Sequence, residues 1–390
     1  MKTLKTEKST KFKDMLKKLA YLICLALVDL SDTLLLFAFP VIIFDKLKSL
    51  WLTAGIMMVW PITRGLIHLL INRLSKRSDT RFLYLLGFTL IFIMIIVLNR
   101  QFTVYLLPVL LILWGAGTEL VRMSLAGIRR EYFGEYIGNW DFLERPVQAF
   151  ALLVAPVFAF TIIMGGSYAD VFNFLGLVIA VTALIFFFAL NKPLSGNILT
   201  GIKPHFNWEY LRTLNRSAFF VSLIEGMIWL QLPIIVVINA LDQGAWAYLV
   251  PAFLLPYFLL ALFKNVFRLR IWQLQTWVKY FLAGGLLVCG YFAGNISVLL
   301  VLLFLLGVVF GLIMLADQHE KLQSDLDDRI VFASILGFFC ATLWVLVVGN
   351  YLKLQNQMAL LGSVVVAYGL WKRFSNRLKP MKWIHIKLSD

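Results

Sequence analysis

The chain has 390 residues, 61% of them hydrophobic and 15% charged, with a formal net charge of +15. Apolar runs recur along its whole length, which excludes an ordinary soluble domain and makes the bilayer its principal solvent. Segments such as LYLLGFTLIFIMIIVL are apolar on every face rather than alternating, so self-satisfied helices are expected and a porin-like barrel is not.

A basic tail, residues 1–17, precedes a first span near 18–44. That run is too long for the apolar core of a signal peptide, contains two Asp and lacks a small-residue cleavage pattern, so it reads as the first transmembrane helix. The stretch KFKDMLKKLAYL suits a basic amphipathic turn or two on the inner surface. Spans near 50–71, 82–98, 103–127, 146–164 and 171–191 complete a six-helix half, 18–191. The polar stretch 192–216, KPLSGNILTGIKPHFNWEYLRTLNR, then reads as a central cytoplasmic loop. Spans near 217–239, 245–263, 280–293, 296–316, 330–349 and 357–371 make a second half, 217–371, before a basic tail, 372–390.

Charge orients this array. With the N-terminus inside, only Lys46, Lys48, Arg100 and Lys353 fall in outward loops and only Arg64 and Arg122 in spans; every other Lys and Arg lies inward. A missed or invented helix would invert every later loop, so the asymmetry supports twelve spans with both termini cytoplasmic in the cell membrane. Basic loops facing anionic lipid headgroups account for the net charge without nucleic acid. Most Trp fall near span ends, whereas Trp60, Trp114, Trp229 and Trp344 lie deeper, available for packing or a cavity wall. Cys24, Cys289 and Cys340 sit within spans, and His205, His319 and His385 show no ligand spacing, so no disulfide framework, metal or cofactor is expected.

Three segments carry a resemblance. HLLINRLSKR, residues 68–77, keeps Leu70, Arg73, Lys76 and Arg77 of a G-x-L-a-D-R-x-G-R-R loop, with His68, Asn72 and Ser75 in place of Gly, Asp and Gly. ALLVAPVFAF, 151–160, keeps Pro156 of G-x-x-x-G-P-x-x-G-G, with Ala151, Ala155 and Ala159 at three glycine positions. The first span fits D-x-T-x-x-x-x-A-x-P at Thr33, Ala38 and Pro40, while the acidic position falls on Ser31, one residue before Asp32. With twelve helices in two sixes, the chain resembles the major facilitator superfamily of secondary transporters, in motif nearest its drug–proton antiporters. The resemblance implies a conformational role for Arg73, Lys76, Arg77 and Pro156. It also implies a central cavity lined by the first, fourth, seventh and tenth spans.

A carboxylate at mid-membrane is costly unless protonated, paired or wetted. Asp29 and Asp32 lie about 16–21 Å along the first span, on one face; Glu119 and Glu225 lie about 12 Å into the fourth and seventh spans. Three of the four spans that would line the cavity therefore carry buried charge. Asp29, Asp32, Glu119, Arg122 and Glu225 are the candidate proton- and substrate-binding residues. Two carboxylates so close resist joint ionisation, which suits proton exchange. Arg122 has two readings, an ion pair with Glu119 on its own helix or neutralisation of Asp29 or Asp32 across the cavity. Arg64 and His68 fit snorkelling towards the inner surface. The tenth span offers Gly307 and Gly311, as a gating point or for close packing.

The function expected is proton-coupled export of an amphiphilic or cationic small molecule by alternating access, with the chain working as a monomer. One alternative is a transporter-like scaffold or sensor, prompted by Asn72 and Ser75. Another is a magnesium-dependent intramembrane prenyltransferase, prompted by DLSD at 29–32 and SDLDD at 324–328. The depth difference between those two acidic segments argues against an enzyme.

Overall fold

A computed structural model describes residues 2–74, 80–100, 103–133, 141–190, 216–240, 248–263, 276–290, 295–317, 324–349 and 354–378. Every regular element among them is helical. The first half of the chain forms α1 (Lys2–Leu47), α2 (Leu50–Met57), α3 (Val59–Leu74), α4 (Thr80–Arg100), α5 (Leu107–Phe133), α6 (Asp141–Gly165) and α7 (Tyr168–Ala189). The second half forms α8 (Arg216–Ala240), α9 (Leu249–Phe263), α10 (Thr276–Gly290), α11 (Ile296–Asp317), α12 (Ser324–Val348) and α13 (Leu354–Leu378). Among the described residues, 9 helical segments are long and apolar enough to cross a membrane. Two of the other expected spans correspond to the shorter apolar helices Leu249–Phe263 and Trp277–Cys289. The last lies in α13, where Gln355, Asn356, Gln357, Lys372 and Arg373 shorten the apolar stretch.

Two local departures from the expected spans have clear causes. The basic tail continues α1 from Lys2, since no Gly or Pro interrupts the sequence before Pro40. The second span is two helices joined at Met58. Pro61 has no N–H to give the Met57 carbonyl four residues back, so the ladder breaks there. At the other end of this half, the Asp170 carboxylate accepts hydrogen bonds from the Ser167 N–H at 2.8 Å and its hydroxyl at 2.9 Å, fixing the start of α7.

Helix neighbours repeat along the chain. In the first half α1 packs on α6, α3 on α5, and α4 on both α5 and α7; in the second, α8 packs on α12, α9 on α11, and α10 on both α11 and α13. The two sets meet where α1 touches α8, where α2 and α3 touch α12, and where α6 touches α9. One seam contact is Trp60 of α3 against Phe338 of α12, edge-on with ring centroids 4.9 Å apart.

Gly307 and Gly311 lie where α11 crosses α9. A Cβ on Gly307 would run into the Phe253 carbonyl oxygen, and one on Gly311 would lie 2.7 Å from the end of the Leu260 side chain. Close packing therefore requires Gly307, while at Gly311 a side chain could yield. Gly307→Ala should cost about 1–3 kcal/mol, because backbone rather than a flexible side chain would have to yield. Thermal unfolding in detergent measures this; an unchanged Tm would mean that α9 and α11 separate freely.

Candidate functional site

The charged residues of α1, α3 and α5 form one buried cluster. Asp29 and Asp32 are three residues apart and share a face of α1. Arg122 of α5 reaches both, its Nη2 donating to Asp29 Oδ1 at 2.8 Å and to Asp32 Oδ2 at 2.9 Å. The second oxygen of Asp32 accepts the Trp114 Nε1–H at 2.9 Å. Asp29 Oδ2 is buried without a well-formed hydrogen bond and has the Gln148 amide beside it.

Glu119 turns the other way. Arg64 of α3 donates to its Oε2 from Nε at 3.0 Å and approaches it with Nη2 at 2.9 Å; His68 Nδ1 lies 2.9 Å from Oε1. A carboxylate only accepts, so His68 carries its proton on Nδ1. The neighbouring helices make the split: α3 brings Arg64 and His68 to Glu119, while α1 brings Asp29 and Asp32 to Arg122. Of the two readings of Arg122, the structure has the pairing with Asp29 and Asp32. Arg64 and His68 do not snorkel: His68 is 4% exposed and held on Glu119, and Arg64 lies over the Trp60 ring, 4.9 Å from its centroid.

Aromatic stacking joins the two ionic groups. Trp60 stacks on Trp114 at 4.8 Å, and Trp114 on Phe39 at 5.2 Å. Gly115 permits this, because a Cβ there would lie 3.0 Å from the Trp60 carbonyl oxygen. Sequence reasoning noted Trp60 and Trp114 only as deep tryptophans. Their role needed the α3–α5 crossing, although the pairing of each Trp with a charge four or five residues on, Arg64 and Glu119, was a usable signal.

The remaining candidates stand apart from this cluster. Glu225 is half-buried on α8 and has no hydrogen-bond or ion-pair partner among the described residues. Pro156 is buried within α6, and Ala151, Ala155 and Ala159 are buried in the helix that packs on both α1 and α9. The backbone of Arg73 ends α3, but its side chain, with Lys76 and Arg77, lies outside the described residues. Arg129 and Glu144 form a further ion pair, at 3.1 Å, joining α5 to α6.

No protein-family profile and no curated protein sequence matches the chain. Among solved structures, a crystal structure of a POT family transporter in complex with a thioalcohol-conjugated peptide superposes with a TM-score of 0.67 at 13% identity, covering 92% of this chain and 96% of that one. The two chains share a fold. That protein has the major facilitator fold, and the likeness to it at this identity is one of architecture. Kinship with drug–proton antiporters rests on the motif residues alone.

Proposed function

We propose that the protein is a secondary active transporter of the cell membrane, moving an amphiphilic small molecule by alternating access coupled to protons. The observation that carries this reading is the charge count of the buried cluster. The carboxylates of Asp29, Asp32 and Glu119 meet the guanidiniums of Arg64 and Arg122 and one imidazole. Leaving the imidazole aside, the three carboxylates outnumber the two guanidiniums, so the cluster is one positive charge short of neutrality. Low dielectric penalises that imbalance, so a proton is the natural coupling ion.

The two Asp differ in their tasks. Asp32 has a partner on each oxygen and acts as the fixed counter-ion, while Asp29, whose Oδ2 has only the Gln148 amide beside it, takes the proton. Protonating Asp29 loosens Arg122, and Arg122 shares α5 with Trp114, which stacks on Trp60 at the α3–α12 seam. This gives protonation a route to the contacts that separate one open side from the other. The twelve spans act as halves 18–191 and 217–371 rocking about the α1–α8, α2/α3–α12 and α6–α9 contacts, with both termini cytoplasmic and the monomer as the working unit. Arg73, Lys76, Arg77 and Pro156 serve the conformational change, and Gly307 and Gly311 keep α11 close to α9 through it. Export is the direction favoured by the Pro156 segment and the first-span pattern.

The rival readings lose support from the same geometry. Both acids of the DLSD segment are engaged by Arg122, which opposes a magnesium site there. A scaffold has no need for so costly a cluster.

The test is substrate-driven proton flux in proteoliposomes under an imposed pH gradient, over a panel of amphiphiles, sugars and amino acids. At least one compound should move protons in the wild type, and Asp29→Asn should abolish that flux while leaving Tm nearly unchanged. Wild-type flux in both Asp29→Asn and Asp32→Asn would remove these residues from the mechanism.

A further inference from the structure

The ionic triad of α1 and α5 is accessible chiefly at Arg122. The Arg122 side chain is 36% exposed, against 6% for Asp29 and 3% for Asp32. A guanidinium in the middle of a span does not face hydrocarbon at that exposure, so its open flank borders a wetted space. Both carboxylates draw on one nitrogen, Nη2, and Nε is buried without a partner. Nη1 makes no hydrogen bond among the described residues. Of the three charged side chains, Arg122 is therefore the one an arriving solute meets first.

This arrangement selects by charge. A cationic solute meets Arg122 first and would have to displace it to reach either carboxylate, bringing like charges together in low dielectric. An anion meets a ready donor. A carboxylate can dock on the Nη1 side and compete with Asp29 and Asp32 for the charge, in the planar geometry that guanidinium favours. Each aspartate weakens that hold, and neutralising one of them strengthens it.

We infer that Arg122 is the recognition point for the transported molecule and that the substrate is an organic anion bearing a carboxylate, rather than a cation. This rests on the transport reading above for its meaning, but it concerns binding and can fail independently. Proton and anion then enter together: a proton on Asp29 releases Arg122 to the substrate, and departure of the substrate returns Arg122 to Asp29 and favours loss of the proton. Such linkage ties the two movements in the same direction. It departs from the exchange expected of an antiporter and, under an inward proton gradient, from the export favoured by the Pro156 segment, so the direction of proton movement is itself a readout.

The experiment is thermal stabilisation of purified protein by matched acid and amine pairs on the same carbon skeleton, phenylbutyrate and phenylbutylamine among them, read alongside flux. Acids should stabilise the wild type, more strongly as pH falls, and the matching amines should not. Asp29→Asn should bind the acids about tenfold more tightly, the scale of removing one competing charge-assisted bond, while losing proton flux. Arg122→Lys, which keeps the charge without the planar fork, should bind acids about tenfold more weakly. Arg122→Gln combined with Asp29→Asn, which removes both charges and so protects folding, should abolish acid binding.

Stabilisation by amines and not acids, no acid binding in the wild type, or undiminished acid binding in the charge-balanced double variant would each overturn the inference. Amine-driven proton flux without acid binding would do so while leaving the transport reading intact. Acid binding lost with Arg122, but without proton flux from any compound, would uphold recognition at Arg122 and sink proton coupling.

Discussion

Arg122→Gln should lower stability by about 3 kcal/mol and abolish transport, because two buried carboxylates lose their shared cation. Asp29 and Asp32 are 6% and 3% exposed at the side chain, so water cannot take the place of the guanidinium. The figure sits at the low end for breaking a buried pair because a proton can bind between the two acids and soften the loss. Two consequences separate this from general disruption. The deficit should shrink as pH falls, since protonating one carboxylate removes the repulsion. It should also shrink in Asp29→Asn/Arg122→Gln, where the net charge of the triad is again that of the wild type and the repulsion between two carboxylates is gone. Thermal unfolding at several pH values measures both, and a Tm equal to wild type with transport lost would assign Arg122 a purely functional role.

Glu119→Gln should be at least as damaging, costing about 3–5 kcal/mol. Glu119 is the common acceptor of Arg64 and His68, and its side chain is 3% exposed against 13% for Arg64. Removing its charge strands a guanidinium that cannot be neutralised by losing a proton, unlike a stranded carboxylate. The Trp60 ring under Arg64 offsets only a small part of that cost. A double-mutant cycle with Arg64→Gln should therefore show a coupling of at least about 1.5 kcal/mol, with the double variant more stable than Glu119→Gln alone. Additive losses would mean that the pair contributes nothing through its contact.

Much of this architecture was legible because membrane solvation acts on composition. A run of apolar residues has few ways to satisfy its backbone in lipid, so most spans were readable one by one. The second span shows the limit. Its apolar run was found, yet the break at Met58 follows from the missing N–H of Pro61, a local effect that a hydropathy reading averages away. That Asp29, Asp32 and Glu119 sit within long apolar helices was also legible, since each interrupts an otherwise apolar run.

Partner choice was not. Glu119 and Arg122 on one helix are as compatible with pairing each other as with pairing outward, and nothing in sequence spacing decides between them. The crossings of α5 with α3 and α1 decide, by placing Arg64 and His68 beside one residue and two aspartates beside the other. Arg64 and His68 themselves looked like residues bound for the inner surface, because snorkelling needs only the span end and the buried alternative needs a distant carboxylate.

The sequence by itself determined that this chain lives in a membrane, roughly where it crosses, and which costly charges it keeps there, since each of these depends on the free energy of single segments in lipid. Only the tertiary structure decided which charges meet and which face of the cluster is open. Those depend on helix crossings set by side chains far apart in the chain, and on which member of a buried ion group is left exposed once the others have packed.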